Sequence, residues 1–160
     1  MPTATITLVH CVHEATGVDV QALGKLLRAI PTELFADTLG SSLPDIIRAI
    51  PEVIRALDVA RSDPDDFFMT TKTSGNIKDS IWPPGKKTVN LQAGQSVTPK
   101  VLLTFERAVN VSLWDEDVSD NDLLGSILIF AEEAGRGEVV RLAHSPIESS
   151  YYYVFYEVTE

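Results

Sequence analysis

The chain has 160 residues, 44% hydrophobic and 8% aromatic, enough to bury the core of one domain but hardly of two. Its 23 acidic and 13 basic side chains leave a net charge of −10. That balance argues against a nucleic-acid partner, whose binding is driven by Lys and Arg releasing counterions, and makes an anionic membrane repulsive unless a cation intervenes. Cys11 is the single cysteine, so an internal disulfide and a thiolate metal cluster are excluded, and it reads as a small buried residue.

The opening "MPTATITLVHCVH" lacks the basic and continuous apolar regions of a signal peptide, and no run approaches the length of a membrane span. The expected location is cytoplasmic or peripheral to a membrane, with signal-independent export left open. Thr3 to Val12 alternates Ile6, Leu8 and Val12 with Thr5 and Thr7, the period of a half-buried strand. His10 and His13 frame Cys11, but on a regular strand positions three apart face opposite ways, so they read as ordinary strand and turn residues.

Between Val20 and Arg61 the period changes to that of helices. Val20, Leu23, Leu27, Ile30 and Leu34 share one face of a first helix ending at Gly40. Leu43, Ile46, Ile47, Ile50, Val53, Ile54 and Leu57 share a face of a second, with Ser42 as N-cap. Pro31 and Pro51 interrupt the two apolar patterns and should kink them. The segment, about 20–61, is predicted to be an inserted helical hairpin. Its apolar stripes suit packing against each other and the sheet, or docking to a partner.

Strand patterns then return at Asp65–Thr73, Lys86–Ala93, Lys100–Arg107, Ala108–Trp114, Gly125–Ala131, Glu138–Ala143 and Ser150–Val158, separated by Gly, Pro, Asn and Asp clusters. With the first strand this makes eight short strands, which predicts a mainly β fold, an antiparallel sandwich in a single domain spanning 1–160.

The strongest local signal is "WDEDVSDNDLLG", Trp114 to Gly125, with five carboxylates between Asp115 and Asp122. At about 5 Å, two carboxylates repel by roughly 3 kcal/mol at an effective dielectric near 20, so the cluster must splay into water or hold a cation. Calcium, which takes six to eight oxygen ligands, suits such a loop, and the absence of His and Cys disfavours zinc. An EF-hand register from Asp115 fails, because its sixth position is Asp120 and its twelfth Ser126. A second loop is needed to complete the shell.

"VNVSLWDEDVSDNDLLGSI" resembles the third calcium-binding loop of C2 domains, and "SDPDDFFMTT" resembles the exit of their first loop. "YYYVFYEV" suits the closing strand, and "DDFFM", "IWPPGKK" and "AGQSV" resemble compact bacterial C2-like domains. The resemblance implies an eight-stranded C2-like β-sandwich with the hairpin inserted in its first loop. It implies Ca2+ ligands at Asp65, Asp115, Asp117 and Asp122, with Asp66 and Asp63 as register alternatives to Asp65. The loop is one residue shorter than the usual pattern between Asp117 and Asp122, and Asp120 can substitute. The hairpin interrupts the first loop, where Glu14 and Asp19 are the candidates for its early aspartate.

The expected function is therefore a calcium-binding module that recruits the protein to an anionic membrane surface or a protein partner. The alternative is a metal-independent interaction or oligomerisation module that uses the hairpin. No nucleophile elbow, phosphate-binding glycine loop or metalloprotease motif occurs, so no enzymatic activity is expected.

Overall fold

The computed structural model describes residues 1–15, 64–118 and 120–160. The predicted hairpin at about 20–61, and Asp19 and Asp63 among the candidate ligands, lie outside these residues. Ten strands are described: β1 (Thr3–His13), β2 (Asp65–Thr70), β3 (Ser80–Trp82), β4 (Val89–Leu91), β5 (Ser96–Val97), β6 (Val101–Thr104), β7 (Ala108–Asp115), β8 (Asp122–Phe130), β9 (Glu138–Ser145) and β10 (Ser150–Thr159).

They form two five-stranded antiparallel sheets. In the first, β1 is flanked by β10 on one side and by β5 and β6 on the other, and β9 forms the far edge. In the second, β2 lies between β7 and the pair β3 and β4, and β8 forms the far edge. The expected antiparallel, sandwich-like architecture is present, with two more strands than predicted. Ser80–Trp82 and Ser96–Val97 are too short to show a period, and Pro83 and Pro84 mask the first of them.

The core is made where the inward alternate residues of the two sheets meet. Ala4, Ile6, Val9 and Cys11 of β1 and Tyr152, Val154, Tyr156 and Val158 of β10 pack with Phe67, Met69, Val111, Leu113, Leu124, Ile127 and Ile129 of the second sheet. Phe67 stacks on Tyr152 across the sandwich, ring centroids 5.5 Å apart. Burying a side chain of this size contributes roughly 1.5–3 kcal/mol. β10 is buried on both faces over Ser150–Tyr156, which is why it reads as a continuous aromatic run and not as an alternation.

Two local features differ from the sequence expectation. A bulge between Cys11 and His13 pairs His10 with Tyr153 and His13 with Tyr151, so the two histidines share a face after all. They hold different partners: His10 Nδ1 lies 2.6 Å from Ser96 Oγ, and His13 Nδ1 lies 2.9 Å from the carbonyl oxygen of Ser149. The second difference is that β8 begins at Asp122, three residues ahead of the predicted Gly125. Gly125 lies inside the strand because β8 and β9 approach backbone to backbone there: a Cβ on it would stand 2.5 Å from the His144 nitrogen.

Candidate functional site

The early start of β8 changes what the acidic loop is. β7 and β8 pair down to Asp115 opposite Asp122, so the last rung of the ladder is a pair of aspartates. Residues directly opposite in such a ladder hold their Cβ atoms about 4.5–5.5 Å apart, where like charges are destabilising. Beyond the rung, Glu116, Asp117, Val118 and Asp120 are exposed.

The hydrogen bonds show how the cluster is held. Asp115 Oδ1 accepts from the N–H of Asp66 at 2.6 Å, and the Glu116 N–H donates to the carbonyl of Asp66, which fastens the root of the loop to the start of β2. The carboxyl group of Asp117 lies close enough to that of Asp122 to disfavour its charge. Asp65 is 1% exposed, and its two oxygens face the N–H of Ala15 at 3.0 and 3.2 Å. The Tyr152 hydroxyl also donates to Asp65 Oδ2.

Each of these environments disfavours charge. Burial pushes Asp65 up to about 7, against the Tyr152 hydrogen bond and with the negative charge of Asp115 adding to it. Burial also raises Asp115 to about 6, opposed by the Asp66 N–H and reinforced by Asp117, Asp66 and Asp122. Asp122 rises to about 6 through burial, the neighbouring Asp117 carboxyl, and the charges of Glu148 and Asp120. Among the described residues, the charges bearing most on Asp115 and Asp122 are all carboxylates. The ion pairs among the described residues, Lys72–Asp79 and Arg141–Glu133, lie elsewhere.

Of the sequence-predicted residues, the structure thus places Asp117 and Asp122 near Asp115, Asp117 and Asp120 near Asp122, and Asp65 and Asp66 beside Asp115. Glu14, the described candidate from the first loop, is buried, and its Oε2 accepts from the Ala93 N–H at 2.9 Å, which ties the end of β1 to the turn after β4. Among the described residues no three His, Cys, Asp or Glu side chains are arranged as a ready-made metal site.

Glu148 was not anticipated. It comes from the β9–β10 turn, 26 residues beyond Asp122 in sequence, and no local motif marks it. Strand direction could have found it: β7 runs toward the acidic loop, β8 away and β9 back, so the β9–β10 turn returns to the same end. This turn also carries Ile147, 82% exposed, and the acidic loop carries Val118, wholly exposed.

An antiparallel β-sandwich with carboxylates from three segments gathered at one end is the class this geometry defines. Over its whole length the chain is similar to a solved structure of a C2 domain, 99% of which is covered, at 10% identity and a TM-score of 0.44. It is also similar to human GIVD cytosolic phospholipase A2, solved with methyl gamma-linolenyl fluorophosphonate inhibitor and terbium chloride. That match covers 99% of this chain and 17% of the other, at 13% identity and a TM-score of 0.40. No family model and no curated protein matches the sequence.

Proposed function

We propose that the acidic end is a calcium-dependent docking surface, through which the protein is recruited to an anionic membrane. The observation that carries the reading is the Asp115–Asp122 rung, fastened to β2 through the Asp66 N–H, with carboxylates as the dominant surrounding charges among the described residues. A site of this kind is satisfied by a proton or by a hard cation, and all its donors are oxygens, the set calcium takes. Asp115, Asp117 and Asp122 would hold the ion, with Asp120 and Glu148 as supplementary donors, Asp66 supporting Asp115 from β2 and Asp65 adding negative charge beside it.

Calcium would supply positive charge at a tip that otherwise repels phosphate, and so allow it to accept anionic headgroups. Val118 and Ile147, exposed on two loops of this end, give the same surface an apolar component suited to the headgroup boundary. Among the described residues no helix is long and apolar enough to cross a membrane, so attachment in this reading is peripheral. We assign no catalytic role to the carboxylates.

The test is thermal unfolding in chelator, in millimolar calcium and in millimolar magnesium, followed by cosedimentation with phosphatidylserine vesicles. Calcium at a hundred times its dissociation constant should add about 2.7 kcal/mol, or roughly 5–10 °C. Vesicle binding should follow calcium, fail in magnesium, and fail with neutral vesicles. A melting temperature indifferent to calcium would remove the ion from the mechanism. A calcium shift without vesicle binding would move the search to a protein partner of the same tip.

A further inference from the structure

Asn121 stands among the carboxylates without being one, and both ends of its amide are committed. Its Oδ1 accepts from the N–H of Asp117 at 3.0 Å, and its Nδ2 donates to the carbonyl oxygen of Gly75 at 2.7 Å. A donor on one side and an acceptor on the other fix which end is oxygen and which is nitrogen.

The second bond leaves the acidic loop altogether. Gly75 belongs to the β2–β3 connection, has φ +63°, and lies so close over Trp114 that a Cβ would stand 2.6 Å from the indole ring. Trp114 is 6% exposed, and its Nε1 donates to Thr70 Oγ1 at 3.0 Å. Thr70 in turn donates to the carbonyl of Lys72 at 2.6 Å. Asp117, Asn121, Gly75, Trp114 and Thr70 therefore form one continuous bracket from the tip down the second sheet.

We propose that Asn121 is the positioning residue of the carboxylate site: it fixes Asp117 relative to Asp122 by fastening the loop to Gly75 and Trp114. The inference rests on the cation reading above. Left to itself, a loop of like charges relaxes by splaying, since every carboxylate gains by moving apart. The bracket holds the oxygens together before the ion arrives, and preorganisation of this kind raises affinity by removing an ordering cost. An aspartate at position 121 separates this role from simple charge. It adds a carboxylate to the loop, yet it turns an oxygen toward the Gly75 carbonyl oxygen, where a donor is required.

The experiment uses the full chain as wild type, Asn121→Asp and Asn121→Ala. Calcium chloride affinity is measured by calorimetry, and the Asp117 amide exchange rate and the Trp114 indole N–H resonance are followed by NMR in chelator. Both variants should bind calcium about tenfold more weakly, the effect of roughly 1.4 kcal/mol. In chelator, both should exchange the Asp117 amide several-fold faster and shift the Trp114 indole resonance. Calcium binding by Asn121→Asp as tight as wild type or tighter would overturn the proposal, because charge alone would then set affinity. If the wild type takes up no calcium, the cation reading falls and the NMR measurements decide the bracket by themselves. Faster exchange with a moved indole signal would then keep Asn121 as the residue that positions the loop, and unchanged values would remove it.

Discussion

Tyr152 and Tyr156 stand four residues apart on the inner face of β10, and each hydroxyl reaches a carboxylate across the sandwich. Tyr152 donates to Asp65 at the start of β2, and Tyr156 donates to Glu133, in the short turn after β8, at 3.0 and 2.9 Å. What surrounds the two carboxylates differs. Glu133 also accepts from the Phe130 N–H at 2.9 Å and from Arg141 Nη2 at 2.5 Å, and the guanidinium lies 5.6 Å over the Phe130 ring. Burial would push Glu133 up, but the Phe130 N–H, Arg141 and Tyr156 outweigh it and hold the carboxyl below its ordinary range. Asp65 has the Ala15 N–H and the Tyr152 hydroxyl, yet among the described residues its charged neighbours are Asp115 and Glu14, and it rises to about 7. The same tyrosine-to-carboxylate contact is thus completed by an arginine at one end of the molecule. At the other end no cation among the described residues completes it, and in our reading calcium does.

The comparison breaks most severely at Arg141. Replacing it by Met keeps much of the apolar stem but leaves Glu133 buried without its cation, the situation that costs about 3–5 kcal/mol when one partner of a buried pair is removed. Urea unfolding of Arg141→Met should show a loss near the lower end of that range, because the arginine is 38% exposed. A loss below about 1 kcal/mol would place this pair with ordinary surface ion pairs and dissolve the contrast.

Acidity should sharpen the same contrast, with opposite signs at the two ends. Asp65, Asp115 and Asp122 rise from 3.8 to about 7, 6 and 6. The folded chain therefore binds protons that the unfolded chain releases. Their contribution is fully present below pH 3.8 and is lost as pH rises through 6 to 7. Glu133, lowered from 4.5, contributes stability that is present above that value and is lost only as pH falls below it. Between pH 5 and 7.5 the acidic end should contribute a falling slope, and the cation-free protein should lose on the order of 5 °C in melting temperature. Calcium displaces the same protons, so its stabilising effect should be larger at pH 7.5 than at pH 5. A melting temperature in chelator that stays flat or rises over this interval would show that the acidic end is already neutralised.

Much of this contrast can be read from the residues, but unequally. The strands β7, β8 and β10 carry long apolar or aromatic patterns and were legible within a few residues at each end. The acidic loop was legible as a charge cluster, because sequence density is enough to show repulsion. The Asp115–Asp122 rung was not, since Gly125 reads as punctuation until β9 is seen to press against it. Glu148 depends on strand direction, and the Glu133–Arg141–Tyr156 group joins positions 8 to 23 residues apart that share no local period. Asn121 was hidden by its neighbours: between Asp120 and Asp122 it reads as loop filler, and only the Gly75 carbonyl gives its amide a direction.

The finest discrimination comes from removing charge at the acidic end while keeping shape. In Asp115→Asn the side-chain oxygen still accepts from the Asp66 N–H, so what disappears is the repulsion across the rung. The variant should be more stable than wild type in chelator, by about 0.5–1 kcal/mol for one like-charged cross-strand pair, or roughly 1–4 °C. In calcium the order should reverse, because the wild type gains the ion and the variant has lost a ligand. Asp122→Asn should behave in the same way. Glu133→Gln, the matching change at the other end, should destabilise under both conditions, since there the charge is paired with Arg141. If Asp115→Asn and Glu133→Gln moved the melting temperature in the same direction in chelator, the two carboxylate environments would be of one kind. The acidic end would then hold its charge as part of the fold, with no call on an ion from outside.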